Sequence, residues 1–481
     1  MNNQDNKTII NCHTHVFTID HVPNEFGKSL MPWPVYKILT IKTIKWYYTN
    51  FTSIGSTRYK SFIRKWNKFF YTIKDILKPT VILWLPFVLI YKVLRWLLRI
   101  ALDFLRWDSI FSDEFKGLIR RYITLARYSI HYKDQASIYT FLKKNYPTES
   151  KFIALSMDME FMEAGKPATS YMDQIEELKR ISSRHPELHP FISLDPRRIV
   201  KTRKNKRVQD YSEYFETNLR EKSFSGIKIY PANGYYPFDK ELIPSYEFAL
   251  KHNIPIITHC NRGPVFYRGR KKDEWKKHPI LEYNHKGGDM KPIPLLQKSN
   301  ANFTSNFTHP MNYHCLLDKN LLSGYLGEDK DLSKLKICLA HFGGNKEWDD
   351  YRKDAFNDYN NNIAPVSLTE YNKKINTLTH KNTKRIWWHA SWLSVIYDLM
   401  VRYDNVHADV SFILYKQESF PLLKYLLHDD KVKHKILFGT DYYVVSQKSV
   451  DKVLYQNLRS YLGEELFMMI AHGNAKTFLT R

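Results

Sequence analysis

Eight short apolar runs, each followed by a polar or ionisable residue and then by helical periodicity, constrain this chain more than any other feature. They are Thr8–Cys12, Phe152–Met157, Pro190–Leu194, Gly226–Tyr230, Pro255–Thr258, Leu335–Ala340, Val406–Val410 and Lys435–Gly439. Unbroken apolarity is what a strand covered on both faces requires, whereas a strand with one wet face alternates. Helical periodicity occupies several of the intervals, at Tyr171–Ser183, Tyr211–Glu221, Ile243–Lys251 and Trp392–Tyr403. Strand–helix units in this number and order predict an α/β fold, a (β/α)₈ barrel of parallel strands inside a ring of helices.

The units are unevenly spaced. More than a hundred residues separate the first run from the second, far more than one crossover helix needs. The expected organisation is therefore barrel strand 1 within residues 1–22, a helical, basic and aromatic-rich insertion over 23–150, and the rest of the barrel over 151–481. Arg262–Ser333 and Gly344–Trp388 are also long, weakly periodic and rich in Lys, Asn and Tyr. They are expected as loop insertions after strands 5 and 6, above the C-terminal face where barrel enzymes keep their active sites.

The polar residues at the strand ends carry the chemistry. Ile10-Asn11-Cys12-His13-Thr14-His15 ends the first run with two histidines at i and i+2. On a strand that spacing puts both imidazoles on one side, where they can share a cation. Alone, such a pair is equally what two surface histidines look like. But His259 closes the fifth run, His341 the sixth and Asp441 the eighth, and Lys228 lies inside an otherwise apolar fourth run. An unpaired ammonium there would be costly. Any one of these could be a satisfied core polar group; five strands agreeing point to a metal centre.

With NCHTH, GIKIYP, IITHC, CLAHFGG, FGTD and the late Gly473-Asn474-Ala475 on the page, the chain resembles the amidohydrolase superfamily. Within it the resemblance is to the amidohydrolase-related branch that includes aminocarboxymuconate semialdehyde decarboxylase, over residues 8–22 and about 150–480. The resemblance implies that His13 and His15 are the first-strand metal ligands, His259 the fifth-strand ligand and Asp441 the eighth-strand aspartate. His341 matches a histidine that binds a second metal in some members and contacts substrate in others. Lys228 matches a lysine that is carboxylated and bridges two metals in binuclear members, and KIYPAN is similar to the corresponding stretch of dihydroorotases. Asn11 departs from the family, which usually has Asp there.

Imidazoles with one carboxylate suit a divalent transition metal, zinc foremost, with Mn, Fe or Ni also compatible. One ion is expected, and a second if Lys228 is carboxylated. A catalytic zinc lowers the pKa of its water from 15.7 towards about 7. Asp441 could then take a proton and pass it to a leaving group, while His341 and Arg262 polarise or grip a carbonyl or carboxylate. Asp158 and Glu160, at the end of the second run, would face the same mouth and could select substrate, although paired carboxylates on a loop are more often surface charge. The leading expectation is a hydrolase of an amide, ester or lactone in a small, anionic-type substrate. Non-oxidative decarboxylation of an unsaturated or aromatic acid uses the same ligands. A catalytically silent barrel serving as a scaffold is the reading from a different class.

Charge adds one question. Lys and Arg number 73 against 49 Asp and Glu, a formal net charge of +24. That favours anionic partners, or simply a solvated lysine-rich surface. No recognisable nucleic-acid module accompanies it. In the insertion, Val81–Tyr91 is apolar and leads into a segment where Lys92, Arg95, Arg99, Asp103 and Arg106 fall on one narrow helical face. The charges arrive too early for a spanning helix of roughly 20 apolar residues. Residues 80–107 fit a helix lying on an anionic membrane, a cap on the barrel mouth or a homodimer contact. The basic run Arg197–Arg207 could join such a surface or be a solvated loop. The four cysteines show no CxxC spacing and the first residues no secretory signal, so a cytoplasmic location is expected, peripheral on the inner membrane face if residues 80–107 bind lipid.

Overall fold

A computed structural model of the protein describes residues 8–28, 35–51, 134–205, 207–263, 265–285, 288–297, 300–360 and 383–481, with single positions between 33 and 68. The chain divides into two compact units, residues 1–17 with 134–481, and residues 18–133.

The first unit is the expected barrel. Its strands are β1 (Ile10–Thr14), β2 (Lys151–Leu155), β3 (Leu188–Leu194), β4 (Gly226–Ile229) and β5 (Ile256–His259). A hairpin of β6 (Lys277–Asn284) and β7 (Met290–Pro294) follows, then β8 (Ile337–Ala340), β9 (Val406–Asp409) and β10 (Ile436–Leu437). Eight strands form one sheet in the order β1-β2-β3-β4-β5-β8-β9-β10, with every neighbouring pair parallel. The ring closes where Cys12 N donates to Phe438 O at 2.9 Å and Asp441 N to His13 O at 2.9 Å. Gly439 is required at this seam, because a Cβ there would lie 2.7 Å from His13 Cβ.

The helices begin where the sequence provides caps. Ser170 Oγ accepts from Asp173 N ahead of the helix Tyr171–Arg184, and Asp210 accepts from Ser212 N ahead of Tyr211–Arg220. At the end of β3, Asp195 caps the helix Pro196–Lys204, with proline at its first position. The barrel interior is apolar: Ile10, Ile153, Leu155, Phe191, Ile257 and Leu437 pack together, joined by Ala475 and Phe478 of the helix Asn474–Leu479. That last helix seals the end of the barrel where the strands begin, as Lys336 Nζ and Asn253 Nδ2 both donate to Thr480 O. The opposite end is left for the site.

Several expectations change. The helix Gln135–Lys143 belongs to the barrel unit, not to an insertion reaching residue 150. It is tied down by Gln135 Nε2 donating to Gln174 O and by Tyr139 against Phe152. Arg262–Ser333 holds the hairpin and the helices Asn300–Thr308, Met311–Leu317 and Lys319–Leu326, although its periodicity is weak. The run Arg197–Arg207 is neither a solvated loop nor a basic surface at its start. It begins as the helix Pro196–Lys204, and Arg198 is buried in an ion-pair cluster.

In the second unit the described residues form a short turn at Ile19–His21 and the helices Val35–Ile38 and Ile41–Phe51, with Lys45 paired to Asp20 at 2.6 Å. The basic amphipathic segment at 80–107 lies outside the described residues. Among those described, no helix is long and apolar enough to cross a membrane.

Candidate metal centre

Three strand ends deliver four imidazoles to one buried place. His13 and His15 come from the end of β1, His259 from β5 and His341 from β8; all are buried. Asp441, just beyond β10, faces the first pair. Its Oδ1 lies 3.3 Å from His15 Nε2 and 3.6 Å from His13 Nε2. His341 Nε2 lies 3.1 Å from His259 Nδ1. The ligand atoms of His13, His15 and Asp441 all lie within 4.8 Å of one another, and so do those of His13, His341 and Asp409.

Hydrogen-bond partners settle which nitrogen of each ring carries the proton. His13 Nδ1 faces the Asp409 carboxylate at 2.9 Å, and His15 Nδ1 faces the Leu155 carbonyl at 3.0 Å. Both partners only accept, so both rings donate from Nδ1, and in its neutral form each presents a bare Nε2. Those two lone pairs then point at one carboxylate oxygen. Three electron-rich atoms meet without a proton to share, an arrangement that a cation resolves. His13 Nε2, His259 Nε2 and Lys228 Nζ are also buried with no hydrogen-bond partner. The donor set thus fits a divalent metal, with His13 Nδ1 held by Asp409 as ligating histidines are held by carboxylates.

Protonation states agree. Burial drives the His13 pKa down to about 3 despite the pull of Asp409. Burial, then neighbouring His341 and Lys228, puts His259 well below the usual histidine range. For Asp441, burial works upward but is outweighed by the His15 contact and the surrounding imidazoles, so its carboxyl sits below the ordinary value. Neutral imidazoles and an ionised carboxylate are the forms a metal needs. Lys228, from β4, is fully buried. Burial lowers it to about 8, against the attraction of Asp409 and Asp441.

Two of these residues sit on strained backbone. His341 has φ 65° and Asp441 φ 59°, both in the left-handed region that non-glycine residues avoid. Such conformations persist where surrounding structure holds them and cluster at functional sites.

The three substrate-selecting candidates lie apart from this cluster in their bonding. Asp158 is bidentate to Arg198 at 2.6 and 3.0 Å, and Glu160 reaches the same guanidinium at 2.9 Å. Arg262, half-exposed after β5, stacks on Trp392 with 4.9 Å to the ring and lies 3.5 Å from Glu347. Asn11 braces the seam between first and last strands. Its Nδ2 donates to Thr440 Oγ1 at 2.8 Å and Tyr146 OH at 2.9 Å, and its Oδ1 accepts from His13 N at 3.2 Å.

Asp409 and Ser411 were missed by sequence reasoning. Asp409 ends the strand β9 and also accepts from His341 N at 3.1 Å. The signal existed, since a charged residue inside an apolar run, here Val406–Val410, is the pattern that singled out Lys228.

No family profile matches the chain, and no curated protein is similar to it. Solved structures similar to it include an uncharacterised TIM-barrel protein from Bordetella bronchiseptica, at 12% identity, 73% of this chain, 84% of that one and TM-score 0.39. A probable 2-pyrone-4,6-dicarboxylic acid hydrolase from Acinetobacter baumannii, crystallised with citric acid, matches at 9% identity over 71% and 88% with TM-score 0.37. A zinc-bound amidohydrolase from Burkholderia multivorans matches at 9% identity over 68% and 82% with TM-score 0.33.

Proposed function

We propose that the chain is a metal-dependent hydrolase acting on an amide, ester or lactone bond of a small substrate. The observation that carries the proposal is the convergence of two bare imidazole nitrogens, His13 Nε2 and His15 Nε2, on one oxygen of Asp441. Its support is the resemblance of these strand ends to amidohydrolase motifs. His13, His15, His259 and Asp441 would hold the ion, zinc being the first candidate, and His341, with Lys228 if carboxylated, would take part in holding a second. When bound, such an ion supplies an activated water and polarises a carbonyl.

The chain's own residues do the rest. Asp441, ionised beside the histidines, can accept a proton at Oδ1 and return it to a leaving group. His341, with its Nδ1 side held by Ser411, turns Nε2 towards His259 as an acceptor or ligand. The apolar barrel interior below the cluster excludes water, which strengthens every charge interaction above it. Arg262, at the rim, offers a cation to an anionic substrate.

Elemental analysis tests the ion. Purified protein should carry close to stoichiometric zinc or a related metal, and His13→Ala with His15→Ala should lose it while remaining folded. Retained metal in that double variant would refute the assignment. A screen of lactones, amides and carboxylic acids with metal-loaded protein then tests the reaction. Turnover of lactones or amides is expected; carbon dioxide release from an acid would move the site to decarboxylation.

A further inference from the structure

Ser411 lies two residues past the end of β9, fully buried, with three side chains around its hydroxyl. Its Oγ contacts Asp409 Oδ1, His13 Nδ1 at 3.1 Å and His341 Nδ1 at 2.9 Å. A serine hydroxyl has one proton to give and two lone pairs to fill. The carboxylate can only accept, so the proton goes to Asp409. Both lone pairs remain to accept, one from each imidazole. The other groups facing those two Nδ1 atoms, Asp409 Oδ2 on His13 and Ser411 O on His341, are acceptors too. Neither ring has a donor on that side.

We infer that Ser411 is a positioning residue that fixes His13 and His341 together, as a pair of Nδ1–H tautomers with Nε2 of His13 facing Asp441 and Nε2 of His341 facing His259. It couples the first strand's histidine to the sixth strand's through one hydroxyl. The two rings differ in what else holds them. At Nδ1, His13 keeps the Asp409 carboxylate at 2.9 Å, whereas His341 keeps the Ser411 carbonyl at 3.3 Å, with His259 Nδ1 3.1 Å from its Nε2. His341 therefore depends on the hydroxyl far more than His13 does. The use made of the Nε2 atoms rests on the metal-centre reading; the tautomers do not.

The test uses full-length, metal-free protein with ¹⁵N-labelled histidine, in which two-bond ¹H–¹⁵N spectra read the tautomer of each ring. In the wild type, His13 and His341 should both show protonated Nδ1. In Ser411→Ala, His341 should become a mixture of tautomers while His13 keeps its own. Ser411→Thr, which retains the hydroxyl, should restore the wild-type pattern. If Ser411→Ala does not fold, Ser411→Cys, with its weak acceptor, replaces it. An unchanged His341 in a folded, hydroxyl-free variant overturns the inference. In chelator competition, loss of the hydroxyl should weaken zinc binding about 10-fold, the lower end for groups that orient metal ligands. A wild type that binds no zinc would defeat the metal centre and still leave the tautomer spectra to decide Ser411.

Discussion

Lys228 shows what a single side chain contributes to such a site. Its ammonium is buried without a hydrogen-bond partner and titrates at about 8, with burial the main cause. An unfolded lysine titrates near 10.4. Between those values the unfolded chain binds more protons, so stability should rise with pH there. Below about 8 the penalty is constant, about 3 kcal/mol at 1.36 kcal/mol per pH unit. Lys228→Met should accordingly raise the stability of metal-free protein at pH 7 by up to about 3 kcal/mol, the gain vanishing near pH 10.4. Denaturant melts at both pH values check this, and a loss at pH 7 would mean that the ammonium is needed to balance Asp409 and Asp441. The presence of this lysine was legible in the sequence because a charge within GIKIYP stands out. The pairing of Asp158 with Arg198 was not, since it joins residues 40 positions apart through packing that no local pattern encodes.

At the level of elements, the site is made by strand ends and by the loops leaving them. The strands were legible because burial on both faces makes them continuously apolar. The hairpin after β5 was not: the β6 sequence KHPILEYN carries a proline and mixed polarity, as a partly exposed strand does. The loop leaving β5 also sets the space beside His259. A Cβ on Gly263 would lie 2.9 Å from His259 Nε2, a nitrogen with no other neighbour to bond. Gly263→Ala should therefore push the buried His259 ring aside, at about 1–3 kcal/mol of stability, the usual cost of overpacking. It should lower zinc affinity at least about 10-fold, in line with other changes around metal ligands. Calorimetry and chelator competition on the same sample separate the two effects; unaltered affinity would remove His259 from the ligand set.

For the molecule as a whole, buried neutral histidines set the response to acid. Burial lowers both His278 and His407 to about 4. His278 has a structural reason to stay neutral, because its Nδ1 accepts from Ile280 N at 3.1 Å and Leu281 N at 2.7 Å. Unfolded histidines take up a proton near pH 6.5, so stability should fall as pH drops from about 6.5 to about 4, by up to about 3 kcal/mol for each residue. Melting temperatures of metal-free protein across that range measure the slope, which His278→Gln should reduce. An acid response beginning only below pH 4 would assign it to the carboxylates.

The closure of the barrel also bears on how the protein is made. Asn11 bonds Thr440 across 429 positions, and the helix that seals the barrel floor lies beyond Asp441 in the chain. Chains grow from the N-terminus at roughly 5–20 residues per second. The histidine pair of β1 thus leaves the ribosome several hundred residues ahead of its partners in Asp441 and the closing strand. Until Asp441 is made, the two imidazoles could meet a metal ion but not enclose it, so in the proposed centre selectivity would arrive only with the closing strand.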